Sequence, residues 1–298
     1  MNVAVTGGAG FIGSHLTEKL LEKHEVTVVD NLSSGKKELI PENADFLEVD
    51  IKNTSKLREV FRGFDAVLHL AANPKVNTFP DDRDKDFEEN FEGTKAVLDA
   101  CQESNVEKLV FTSSSVIYGE DCEIPTPETA NFDPISMYGA TKAGGEHMCQ
   151  VYQQILGLDL TIVRLANIVG GRAEKGVTYD FVQKLKEDPE ELEILGDGRQ
   201  KKSYIHVEDT VEGIIAAWES EETVFNIGNE DAIDVTRIAE VVSDEMDLDP
   251  DFSYTGGRKG WDGDVPEMRL DIQKLKETGW KPSMNSEEAI RETVKDLK

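Results

Sequence analysis

Short apolar runs alternate with helical repeats along the first half of the chain. "NVAVTG" is a β-rich run, and "FIGSHLTEKLLEKH" follows it with Phe11, Leu16, Leu20 and Leu21 at near-helical spacing. "EVTVVD" reads as a second strand. The rhythm continues through the strand "DFLEVD", the helix "TSKLREVFRG", the strand "DAVLHLAA", the helix "DFEENFEGTKAVLDACQESN" and the strand "KLVFTSS". A helix from about Tyr138 to Leu156 and the strand "LTIVRLAN" close the series. Strands alternating with helices predict an α/β fold, a doubly wound parallel sheet covered on both faces. The acidic stretch "PDDRDKDFEEN" leads straight into a helix and reads as a solvated loop and helix start.

After Asn167 the rhythm changes. "YDFVQKLKED" has a helical pattern, "LEILGDGRQKKSYIHV" reads as two short strands around a Gly-rich turn, and "VEDTVEGIIAAWES" as another helix. "TVFNIG" is one more apolar strand, able to rejoin the main sheet. The tail from about Asp234 adds helices and the Gly-rich loop "YTGGRKGWDGD". The pattern predicts a dinucleotide-binding domain of residues 1–167 plus about 207–228, and a smaller, discontinuous α+β substrate-binding domain of about 168–206 plus 229–298.

Composition narrows the partners. With 298 residues the chain can bury a large core. Sixty acidic residues against 32 basic ones give a formal charge of -28, which repels phosphate backbones and argues against nucleic acid or an anionic membrane surface. Such a charge suits a solvated surface in a salty or hot cytoplasm. Cys101, Cys122 and Cys149 show no C-x-x-C spacing and fit reduced thiols, so neither a disulfide framework nor a metal site is expected. The opening "MNVAVTGG" carries no basic n-region, and no apolar run approaches membrane-spanning length; the expectation is a soluble, cytoplasmic protein.

Chemistry first shows in "TGGAGFIG". Gly7, Gly10 and Gly13 stand in G-x-x-G-x-x-G spacing after the first strand and at the start of the first helix. Glycines permit the tight turn and close backbone approach, and the helix N-terminus presents free N–H groups to a pyrophosphate. Asp30 ends the second strand 17 positions after Gly13, where a carboxylate can bind ribose hydroxyls and would repel a 2'-phosphate. No arginine follows it in "NLSSGKK", so the expected cofactor is NAD rather than NADP. Asp50, with Ile51, ends the third strand, where it either meets an adenine amino group or caps a helix.

A second constellation lies in "SMYGATKAGGEHM". Tyr138 and Lys142 are four residues apart and share a helix face. A nearby ammonium favours the phenolate, so the pair can act as a general base. The hydroxyls of "TSSSVIYG" end the preceding strand at its carboxyl edge. His69 and His206 read as packing residues.

These stretches together, "TGGAGFIG", "DNLSSG", "HLAA", "SSSVIYG", Tyr138-x-x-x-Lys142 and "GDGRQKKSYIHVEDT", resemble the extended short-chain dehydrogenase/reductase superfamily with its Rossmann-like fold. Within it the chain is most similar to NAD-dependent nucleoside-diphosphate-sugar epimerases of the UDP-glucose 4-epimerase type. The resemblance runs from Val3 to Trp280. It implies Ser114, Tyr138 and Lys142 as catalytic residues, Tyr138 being the base, and C4 epimerisation of a UDP-hexose through a 4-keto intermediate. It implies NAD contacts at Phe11 and Ile12, at Asn31, Leu32, Ser33, Ser34 and Gly35, at Asp50 and Ile51, at Leu70, Ala71 and Ala72, and at Lys75 and Asn90, besides Tyr138 and Lys142. Substrate contacts are implied at Ser114, Tyr138, Asn167, Lys202 and Arg258, and a homodimer through the helices that carry Asn90 and Tyr138.

The chain departs from the family's pattern at the diphosphate. The last turn usually reads Gln-x-Arg-Asp, and here it is Gln200, Lys201, Lys202 and Ser203. A lysine neutralises a diphosphate without clamping it bidentately. Trp261 stands where a second arginine is common, with Arg258 three residues earlier; a gate role for Met268 competes with simple core filling. Dehydratases and decarboxylases of the superfamily carry an acid two before the tyrosine of the Tyr-Gly pair. Val116 stands there, after Ser115, which favours epimerisation over elimination. The alternatives are another NAD-dependent nucleotide-sugar dehydratase, decarboxylase or reductase of the superfamily, or a non-catalytic NAD-sensing protein.

Overall fold

The strand β1 (Asn2–Thr6) buries its last four residues, and the chain then turns through the glycines into helix α1 (Phe11–Leu20). The computed structural model describes residues 1–75, 82, 84–261 and 263–298. β2 (Glu25–Asp30), β3 (Asp45–Glu48), helix α2 (Thr54–Val60), β4 (Ala66–His69), helix α3 (Gly93–Ser104), β5 (Lys108–Ser114), helix α4 (Met137–Leu156), β6 (Asp159–Leu165) and β7 (Val224–Ile227) complete the main framework. Of the acidic stretch before α3, Pro80, Asp81 and Arg83 lie outside the described residues, as does Asp262 in the later Gly-rich loop.

The seven strands form one parallel sheet in the order β7-β6-β5-β4-β1-β2-β3, the doubly wound arrangement that the alternation predicts. Apolar strand residues such as Val3, Val5, Val28, Val67, Leu68, Leu109 and Val110 are wholly buried, as a sheet covered on both faces requires. The winding reverses between β1 and β4, which pair from Val3 with Ala66 to Thr6 with His69. Loops leaving the carboxyl ends of these two strands therefore lie side by side, the usual ligand position in such a sheet.

The chain forms two compact units. Met1–Ile117, Pro134–Arg164 and Ala217–Phe225 make the first, and Tyr118–Asp133, Leu165–Ala216 and Asn226–Lys298 make the second. The first is built on a core that includes Leu57, Phe61, Val97, Leu109 and Phe111. In the second, Phe181, Leu192, Ile238, Val242 and Ile290 pack together.

These boundaries differ from the sequence reading, which kept Tyr118–Asp133 and Val207–Ala216 with the first unit. Long-range bonds explain the difference. The Tyr118 hydroxyl donates to Asn226 Oδ1 at 2.9 Å, and Asn226 Nδ2 donates to the carbonyls of Thr126 and Asp271 at 2.9 and 3.1 Å. Trp280 Nε1 donates to the Asp209 carbonyl at 3.1 Å, tying the start of the Val207–Glu219 helix to the C-terminal segment. No helix among the described residues is long and apolar enough to cross a membrane.

Candidate active site

The glycine loop is shaped by close approaches that a side chain would block. Gly7 has φ +73°, and a Cβ there would sit 2.6 Å from the Ala71 backbone nitrogen; at Gly13 it would sit 2.1 Å from the Gly7 carbonyl oxygen. Gly10 is the α1 cap and offers no side-chain bond, and the first turn contains no acidic residue. The first N–H groups of α1 thus remain open to an anion, with Phe11 and Ile12 in that turn half-buried.

Asp30 closes this cradle on one side. Its buried carboxylate accepts from Leu32 N at 2.8 Å and Ala9 N at 3.1 Å. Burial raises its pKa, and the two N–H donors oppose the rise. Lys36 N donates to the Ala9 carbonyl at 2.9 Å, folding the segment of Asn31, Leu32, Ser33, Ser34 and Gly35 against the glycine loop. Asp50 is engaged locally: its two oxygens accept from Lys52 N at 2.8 Å and Asn31 Nδ2 at 3.2 Å. The cap of α2 is Asn53, not Asp50, and Ile51 packs where a Cβ on Gly93 would come within 2.6 Å of its Cδ1.

Leu70, Ala71 and Ala72 leave β4 half-buried beside the cradle, and Lys75 lies exposed beyond them. Asn90 is fully buried in a six-residue π-helical turn, Phe87–Glu92, that leads into α3. Its Oδ1 accepts from Asn73 N at 2.7 Å. An uncapped helix end, a turn that only glycines allow and a carboxylate beside them fit a dinucleotide.

Ser114 is the last residue of β5, and its side chain hydrogen-bonds the Tyr138 phenol. Ser136 caps α4 by accepting from Gly139 N at 3.1 Å, which sets Tyr138 in the first turn. One turn on, Lys142 is 3% exposed, and its Nζ donates to the Thr112 carbonyl at 2.9 Å. That nitrogen lies 5.9 Å from the Tyr138 ring centroid and 5.1 Å from that of Phe111. Tyr138 and Lys142 thus lie one turn apart, as the spacing suggested, and Ser114 bonds the phenol from the end of β5.

The expected depression of the Tyr138 pKa is absent. Burial and the negative charge of Asp86 push the phenol up to about 12, against a lowering from Ser114, while burial brings Lys142 down to about 8. Nζ faces the Tyr138 ring and bonds a carbonyl, so its charge does little for the hydroxyl. Asp86 was not evident from the sequence, where it is one acid among many. In the structure it is wholly buried, with Oδ1 accepting from Asn73 Nδ2 at 2.7 Å. Ser113 and Ser115 are buried at the strand end, and Tyr118 is spent on Asn226.

Of the residues assigned to a sugar nucleotide, Ser114 and Tyr138 lie in the first unit and Asn167, Lys202 and Arg258 in the second. Asn167 is half-buried and donates from Nδ2 to the Ser203 carbonyl at 3.0 Å. Lys202 Nζ is 2.5 Å from Oδ1 of the buried Asp264, so the lysine's charge is already matched. Arg258 is exposed in its Gly-rich loop and has no ion pair among the described residues. Met268 is buried. No group of three or more His, Cys, Asp or Glu side chains among the described residues could hold a metal ion.

A doubly wound sheet with a glycine cradle and a Ser114–Tyr138–Lys142 cluster defines a nucleotide-dependent α/β enzyme. The chain belongs to the NAD dependent epimerase/dehydratase family, whose model matches residues 3–228. It is 43% identical to a crystallised UDP-galactose 4-epimerase, covering 100% of this chain and 98% of the other, with a TM-score of 0.92. It is 35% identical to the Thermus thermophilus UDP-glucose 4-epimerase solved with NAD, covering 100% and 99%, again with a TM-score of 0.92. It is also 32% identical to a UDP-N-acetyl-alpha-D-glucosaminuronate decarboxylase of Bacillus cytotoxicus, over 97% of this chain and 95% of that protein.

Proposed function

We propose that the protein epimerises a nucleotide sugar at C4, interconverting UDP-glucose and UDP-galactose, with Tyr138 as the base. The observation that carries this reading is the hydrogen-bonded Ser114–Tyr138 pair one turn from Lys142, with no carboxylate at Ser115 or Val116. An elimination needs an acid beside the reacting carbon, whereas an epimerisation needs only a base for one hydroxyl proton. The similarity to two 4-epimerases supports the choice, and the decarboxylase similarity marks its nearest competitor.

NAD, when bound, would supply a hydride acceptor for the sugar C4 and, in its oxidised form, a positively charged ring. The cradle of Gly7, Gly10, Gly13 and Asp30 would hold its pyrophosphate and adenosine ribose, and Lys142 with Asn90 the nicotinamide end. Tyr138 would take the proton of the sugar 4-hydroxyl onto Oη and return it to the same sugar oxygen. Ser114 donates to the same oxygen, aligning the hydroxyl. With the free phenol held up at about 12 and the Lys142 ammonium turned to its ring, Tyr138 becomes a base only when further positive charge is brought beside the hydroxyl to favour the phenolate. Arg258, without an ion pair among the described residues, is the better diphosphate partner, since Asp264 already neutralises Lys202.

The protein is further read as a cytoplasmic homodimer. The exposed Val151, Ile155 and Leu156 on α4 would be covered by a second copy, and the free thiols of Cys101, Cys122 and Cys149 suit a reducing compartment. The deciding experiment incubates purified protein with UDP-glucose, UDP-galactose, their N-acetyl forms and UDP-glucuronate, with and without added NAD, and follows the products. Approach to a glucose–galactose equilibrium from both sides is expected. Carbon dioxide release, a deoxy-keto sugar or stoichiometric free NADH would each overturn the assignment.

A further inference from the structure

His69 ends β4 and is 1% exposed, with both ring nitrogens engaged. Nδ1 lies 2.7 Å from Thr6 Oγ1 and Nε2 lies 3.1 Å from Thr94 Oγ1. Hydroxyls can donate or accept, so the pair of contacts alone leaves the tautomer open. The surrounding bonds close it. Thr94 Oγ1 donates its only proton to the Asn90 carbonyl at 2.6 Å, so it can only accept from the ring. Nε2 must therefore carry the hydrogen. Nδ1 is then bare and accepts from the Thr6 hydroxyl, whose oxygen in turn accepts from Ala71 N at 3.4 Å.

The bonds run in one direction. They start at Ala71, the residue against which Gly7 fits, pass through Thr6, His69 and Thr94, and end on the Asn90 peptide. A second branch leaves the same residue: the His69 carbonyl accepts from Thr112 Oγ1 at 3.0 Å, and the Thr112 carbonyl accepts from Lys142 Nζ at 2.9 Å. We propose that His69 is a positioning residue, held as the neutral tautomer protonated on Nε2, that locks the glycine loop, Asn90 and Lys142 into one geometry. This rests on the reading above only in giving Asn90 and Lys142 a cofactor to hold.

Neutrality follows from the surroundings. The ring is packed against Phe111, with centroids 5.9 Å apart, and the charge facing it is the Lys142 ammonium. Burial and that charge push the imidazole pKa down to about 3, so the proton arrangement persists throughout the working pH range. A protonated ring would put an N–H on Nδ1 facing Thr6, turn the hydroxyl proton away and reverse the Thr6–His69 bond.

The test has two parts. Imidazole nitrogen NMR of the free protein, assigned by loss of the signals in His69→Gln, should show protonated Nε2 and bare Nδ1 without titration from about pH 5 to about pH 9. An Nδ1–H tautomer, or titration near the ordinary histidine pKa, overturns the proposal. NAD affinity is then measured by calorimetry. His69→Leu should bind about tenfold more weakly or worse, and His69→Gln, which keeps a donor and an acceptor, should recover to within about threefold of the parent. A second break, Thr94→Val, should resemble His69→Leu while keeping the ring. Equal affinity in all variants overturns the positioning role. Failure of the parent protein to bind NAD would instead sink the cofactor reading, and the tautomer measurement would stand.

Discussion

Lys202 Nζ and Asp264 Oδ1 meet at 2.5 Å across 62 residues of sequence, with the carboxylate almost wholly buried. The turn in which the family pattern leads one to expect a free cation therefore presents a matched pair. Asp264→Asn unpairs the lysine and should strengthen UDP binding about three- to tenfold, as read by calorimetry. Weaker binding would mean that the aspartate is needed to hold Gly260, whose N–H it also accepts at 3.1 Å.

Tyr138→Phe removes the only group assigned to carry the proton while leaving the glycine cradle untouched. Turnover should fall by about a thousandfold or more, and NAD released from the denatured variant should match the parent. Near-normal epimerisation would end the mechanism.

Lys142 gives a pH signature. Folding lowers its pKa from the lysine range to about 8, so the folded protein binds fewer protons than the unfolded chain between about pH 8 and pH 10, and stability rises with pH there. Above that window the raised Tyr138 phenol acts in the opposite sense. Lys142→Met should stabilise the protein at pH 7 by about 1 to 3 kcal/mol and flatten the rise, as read from urea unfolding. A flat parent curve would contradict the lowered value.

Arg164 and Glu146 form a buried ion pair below the site, Nη2 to Oε2 at 2.7 Å and Nε to Oε1 at 3.0 Å. Glu146 stands one turn after Lys142 on α4 and contributes to its field. Arg164→Met strands the carboxylate and should cost about 3 to 5 kcal/mol in denaturant unfolding, while the double change with Glu146→Met should regain most of it. Additive losses would show that the two side chains act separately.

The β–α alternation, and with it the doubly wound sheet, was legible because local hydrophobic periodicity and glycine placement are sequence-local quantities. Tyr138 and Lys142 could be seen as a pair for the same reason, since one helical turn fixes their neighbourhood, whereas Ser114 was picked out among its neighbouring serines only by the family resemblance. What stayed hidden depends on partners far along the chain. Asp264 on Lys202, Asn226 on Tyr118 and the wholly buried Asp86 near Tyr138 are tertiary facts, and nothing in a stretch of acids marks which one will be enclosed. The same holds for the Tyr138 pKa, where i, i+4 spacing gives proximity to the lysine but not the direction in which Nζ points.

Asn226 has one further consequence. Its side chain serves Tyr118, Thr126 and Asp271, and its N–H donates to Glu128 Oε1 at 2.9 Å, so one short amide measures the length of the segment between Tyr118 and Glu128. Recombining this chain with a relative inside that segment would exchange some of the partners and keep the others. The seam to choose is the junction of Ile117 and Tyr118, where the stretch stays with its amide and can be read as a cassette rather than a loop.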